Sequence, residues 1–148
     1  MTATLDTAGQ GADYAAICSV LAQVARTADV ADLQDYMALL TDDIVFEFPA
    51  NPQAGMEPNT YRGAAEVRAG AEERRTRGMQ GPRTHTLHLI STLSVHFDTP
   101  DLARAAAYWT YYTDTNGTPR LNSMGQYDNV LRRTADGWKL AHRVITIL

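Results

Sequence analysis

Five aspartates fall within fifteen positions, Asp29, Asp32, Asp35, Asp42 and Asp43, and the last two run straight into the apolar stretch 44–48. Carboxylates on a solvated helix face do no chemistry, whereas one turned inward would supply half of an acid–base pair. Four histidines, His85, His88, His96 and His142, can exchange a proton near neutral pH. His85 and His88 stand three apart in a segment of period two, which sends them to opposite faces of a strand and argues against a metal site. The single cysteine, Cys18, allows neither an internal disulfide nor a thiolate cluster. No metal and no other cofactor is expected, and the chain lacks the glycine-rich and nucleophile motifs of nucleotide-binding folds and serine hydrolases.

The elements that must position these groups follow from periodicity. Residues 1–12 read as a small, polar tail, and 13–148 as a single domain. Asp13 is placed to cap a helix with Tyr14, Ile17, Leu21 and Val24 on one stripe. A second helix is expected over about 30–40, with Asp29 or Asp32 at its start, where a carboxylate suits the free amides. A strand, 44–48, stops at Pro49; the proline-rich segment 49–62 reads as a lid-like loop, and 64–77 as a charged third helix. From Arg83 the period is two, and four strands are expected at about 83–97, 102–113, 121–134 and 138–147. Three helices followed by an antiparallel meander make an α+β fold, a curved sheet wrapped over helices into a cone-shaped barrel around an apolar pocket.

Composition narrows the partners. With 148 residues, 45 % of them hydrophobic, and a net charge of −4, the chain suits one globular domain without a basic footprint for nucleic acid. No apolar run approaches the ~20 residues of a membrane span, and the amino-terminal residues lack a signal-peptide pattern, so a cytoplasmic location is expected. The expected ligand is a small hydrophobic molecule.

Several phrases, "ADVADLQDYMALLTDDIVFEF", "YRGAAEVRA", "THTLHLIST", "ARAAAYWTYY" and "GQYDNVLRRTADGWKLAHRV", resemble the SnoaL-like branch of the nuclear-transport-factor-like superfamily over about residues 13–147. That branch includes scytalone dehydratase, bile-acid dehydratase and hexachlorocyclohexane dehydrochlorinase. The resemblance implies a catalytic dyad of Asp29 and His88, with Arg143 in the cavity to meet a leaving group or an oxyanion. It also implies a cofactor-independent lyase, with a polyketide cyclase or ketosteroid-isomerase-like enzyme and a non-catalytic binding module as alternatives. Asp29 as a plain helix cap, and Arg143 in a surface ion pair, are the competing structural roles. Where dehydratase relatives carry a Tyr or Lys five residues before the aspartate, this chain has Val24, and Tyr14, Tyr61 or Tyr127 would have to replace it.

Phe46, Phe48, Trp109, Met124 and Tyr127 are expected to line the cavity, with Asn129 and Tyr127 as hydrogen-bonding groups and Tyr14 as a further contact. Strand parity sets His88 with Ile90, Thr92 and Ser94, opposite the greasier face of Leu87, Leu89, Leu93, Val95 and Phe97. A bulge, or an outer face covered by a second copy, would reconcile a cavity-facing His88 with that pattern. Trp109, Tyr111 and the neighbouring leucines suggest a homodimer, with trimers also known in the superfamily.

Overall fold

The computed structural model describes residues 7–148, so the first six of the expected tail lie outside the described residues. Helix α1 runs unbroken over Thr7–Val30 and already includes residues 7–12. Its buried stripe, Ile17, Leu21, Val24 and Ala28, keeps the three- and four-residue spacing of one helix face. The break between the first two helices falls just beyond Asp29: α1 ends at Val30, and Asp32 rather than Asp29 holds the N-cap position of the next helix. Asp13 therefore sits inside α1, where it accepts hydrogen bonds from the Trp138 indole and Arg133, which hold its carboxyl below the usual range.

Helix α2 is only Leu33–Met37, and α3 is Gly63–Thr76. Arg75 of α3 donates to the carbonyls of Ala31 and Thr27, closing the carbonyl end of α1 with a cation, as the helix dipole favours. The strands are β1 (Leu40–Phe48), β2 (Asn59–Arg62), β3 (Leu87–Thr99), β4 (Leu102–Thr113), β5 (Arg120–Thr134) and β6 (Gly137–Ile147). β2 forms inside the expected loop by pairing antiparallel with β1. The order is β2-β1-β6-β5-β4-β3, antiparallel throughout except for β1 beside β6. The α+β class holds; the sheet curls over the helices but does not close, leaving β2 and β3 as edges.

One bulge decides which way β3 faces. Ser91 pairs with Tyr108 but Ser94 with Ala106, three residues against two, and Thr92 takes φ 53°. The extra residue reverses the alternation, so His88 and Ile90 before it share the inner face with Leu93, Val95 and Phe97 after it. Leu87 and Leu89 are exposed on the outside.

The sheet also contains an obligatory gap. Gly125 pairs with Trp109, and a Cβ there would lie 1.9 Å from the Thr146 carbonyl oxygen and 2.6 Å from the indole. Gly125→Ala is expected to lower stability by about 2–3 kcal/mol through overpacking, read as a shifted urea midpoint at constant m-value. An unchanged midpoint would contradict this packing.

Candidate active site

Asp29 lies in the last turn of α1, the end where a carboxylate opposes the helix dipole, and its side chain is almost wholly buried. It cannot be an N-cap. Two bonds from β3 compensate it: the His88 backbone N–H donates to Oδ2 at 2.7 Å, and His88 Nδ1 lies 2.6 Å from Oδ1. An ionised carboxylate only accepts, so Nδ1 carries a proton, and in the neutral ring Nε2 is then the nitrogen with the free lone pair. Nε2 has no partner among the described residues, and the ring lies against Tyr111, 4.7 Å between centroids, in the wall of a cavity.

The cavity has a volume of about 240 Å³ between the helices and the inner face of the sheet. Val24 and Ala28 of α1, Tyr36 of α2, Phe46 and Phe48 of β1 and Met56 of the 49–58 connection supply its apolar wall. Trp109 and Tyr127 stack at 5.7 Å, and the Arg143 guanidinium continues the stack 3.9 Å from the Tyr127 centroid. Arg143 donates through Nε to Asn129 Oδ1 at 2.7 Å, and Asn129 Nδ2 donates to the Ala105 carbonyl at 3.0 Å. These residues form one row across the sheet, Ala105, Asn129, Arg143 and Phe46, so strand register orients the guanidinium. Burial pushes the Arg143 pKa down and those of Tyr127 and Tyr36 up, so both tyrosines remain protonated at neutral pH.

Most residues expected in the site meet there: His88, Phe46, Phe48, Trp109, Tyr127 and Arg143 line the cavity. Asp29 stands behind His88, and Asn129 behind Arg143, rather than on the surface of the cavity. Two do not belong. Tyr14 is exposed beside Cys18 on α1. Met124 is exposed on the outer face, because it stands one residue from Gly125, which faces Trp109 inward. Trp109 and Tyr111 are buried on the cavity side, so they cannot form the outer contact expected of them. Tyr61 packs edge-on to Phe48 and does not line the cavity, whereas Val24 does.

Arg74, Met79 and Gln80 also line the cavity, and no motif in the sequence singles them out. Arg74 donates to Gln80 Oε1 at 3.1 Å, and the Tyr111 hydroxyl donates to the Met79 carbonyl at 2.7 Å, strapping the α3–β3 connection over the site. Its left-handed residues, Gly78, Gly81, Arg83 and His85, give the strap its turns, and only the glycines signal them.

The SnoaL-like domain model matches residues 10–144, and the chain belongs to that family. A comparison with curated proteins finds no match. Among solved structures, the chain is similar to an NTF2-like protein with a cystatin-like fold from Novosphingobium aromaticivorans, at 19 % identity, covering 100 % of this chain and 92 % of that one, TM-score 0.78. It is also similar to a protein from that organism provisionally described as a scytalone dehydratase, at 15 % identity, 96 % and 88 % coverage, TM-score 0.77. A Mycobacterium tuberculosis protein of unknown function matches at 20 % identity, 99 % and 78 % coverage, TM-score 0.79. At such identities the likeness is one of fold.

Removing the carboxylate tests the bridge. Asp29→Ala leaves the His88 amide and ring N–H without acceptors and should cost about 2–3 kcal/mol in urea unfolding. A midpoint unchanged from the unmodified protein would mean that the bridge does not form in solution.

Proposed function

We propose that the protein is a cofactor-independent lyase that eliminates water or another small leaving group from a hydrophobic ring. The observation that carries this reading is the Asp29–His88 bridge in the wall of an apolar cavity. His88 Nε2 takes a proton from a carbon activated by an adjacent carbonyl. The C–H electrons form the new double bond, and the bond to the leaving oxygen breaks. Asp29 stabilises the imidazolium as it forms and holds the ring in one tautomer. Tyr36 or Tyr127, kept protonated by burial, gives the leaving oxygen its proton in the place of the residue that Val24 lacks. The Arg143 guanidinium, three strands from His88, is placed to meet an anionic oxygen of the substrate.

The provisional dehydratase among the structural relatives agrees with this reading. A cyclase or isomerase with its acid–base residues on the later strands would draw on Asp128 or Tyr127, and Asp128 is exposed on the outer face and held by Gln126. A pure binding module would leave Asp29 exposed and His88 without a carboxylate neighbour, the reverse of the geometry here.

The reading extends to a cytoplasmic homodimer in which the outer faces of β3–β5 meet. Leu87, Leu89, Tyr108, Leu121 and Met124 are exposed there on neighbouring strands.

On cyclic β-hydroxy ketones, elimination is followed as the rise of enone absorbance. His88→Gln is expected to lower kcat/KM by about 10²–10⁴-fold, and undiminished turnover would sink the mechanism. Sedimentation of the unmodified protein at micromolar concentration should give a dimer, and Leu89→Glu should shift it to monomer. A monomeric parent protein would remove the proposed contact.

A further inference from the structure

The arginines are unevenly served. Arg104, Arg132 and Arg133, at the surface, each hold an aspartate, whereas Arg143, only 4 % exposed, has no carboxylate within ion-pair distance among the described residues. Its Nε uses Asn129 and its face uses Tyr127, but Nη2 is buried without a partner. A second arginine in the cavity wall, Arg74, is held by Gln80 and likewise forms no ion pair among the described residues. The Gln80 side chain spends its oxygen on Arg74, leaving Nε2 buried and unpartnered, and Trp109 Nε1 is in the same condition. All three unpartnered atoms on cavity residues are donors, and the nearby carboxylate, Asp29, is already committed to His88.

Such a lining has one electrostatic complement. A guanidinium stays charged under any ordinary condition, and a buried charge without a counter-ion is among the costliest features a fold can carry. A neutral hydrocarbon ring in the cavity would exclude water and leave that charge unmet. An anionic oxygen would meet it and take up the spare donors.

We propose that the ligand carries a carboxylate in its ground state, bound at Arg143 Nη2, with its ring lying along the Trp109–Tyr127 stack. This rests on the preceding reading only in taking the cavity as the substrate site. His88 and Arg143 stand on β3 and β6, three strands apart in the sheet. The acid group thus anchors one end of the ligand while the reacting carbon meets the base at the other. Asn129 is a positioning residue, acting through its bond to Arg143 Nε. A cavity of ~150 Å³ admits one benzene ring, so about 240 Å³ suits about two fused rings.

The probes are 2-naphthoate and its neutral counterpart 2-naphthalenemethanol, with binding read by titration calorimetry. The acid is expected to bind about ten- to hundred-fold more tightly, the gain of one charge-assisted hydrogen bond. Arg143→Met should abolish the preference, and His88→Gln should keep it. Equal binding of acid and alcohol by the unmodified protein, or a preference that survives Arg143→Met, overturns the proposal. If Arg143→Met does not fold, a crystal structure with 2-naphthoate decides: a carboxylate away from Nη2 overturns it as well. Acid preference in a protein that performs no elimination would uphold this inference and remove the lyase reading, and elimination without acid preference would do the opposite.

Discussion

Two hydrogen bonds accepted by one carboxylate join the end of the first helix to the edge of the sheet, and the site is arranged around that junction. Asp29 is buried at the end of α1 where a negative charge is least welcome. Its position would cost several kcal/mol without partners. His88 supplies both, one from the backbone and one from the ring, so the same bridge that fixes the strand also fixes the tautomer. Arg75 meets the Thr27 and Ala31 carbonyls at that helix end. Structure and chemistry meet in one contact.

The cavity is polar at its ends and greasy between them. At one side stands an imidazole whose free nitrogen faces the interior; three strands away stands a guanidinium aimed by Asn129. Between them lies the Trp109–Tyr127 stack, which Gly125 permits by presenting no side chain under the indole. This division suits a flat ligand with distinct ends better than a featureless hydrocarbon. The strap from Met79 to Gln80 adds a cover held by hydrogen bonds rather than by apolar contact.

Much of this was legible because hydrophobic period tracks burial. The α1 stripe, the inward Val67 of α3 and the four long strands announce themselves through spacing. What escaped depends on single-residue events that leave little trace in period. The bulge at Thr92 turns β3 over without a glycine to mark it, so a uniform alternation sets His88 against its leucines. Asp29 looks like the start of a helix because Asp is common there, yet α1 runs on to Val30 and holds it in its last turn, while Asp32 takes the cap position of α2. Met124 falls outside for the opposite reason: β5 alternates regularly there, and the inward place beside it belongs to a glycine. Arg74 and Gln80 had no sequence signal beyond a charged helix and its turn. Their significance comes from what they face.

The proposed chemistry needs His88 to offer an unprotonated nitrogen to the cavity while Asp29 holds the proton on the other. Long-range nitrogen–proton NMR of the histidine rings at neutral pH reads this directly. His88 is expected to be the tautomer with its proton on Nδ1 and a bare Nε2, and Asp29→Asn is expected to disturb this pattern. A His88 ring protonated on Nε2 alone, unaffected by that substitution, would contradict it and leave the cavity without its base.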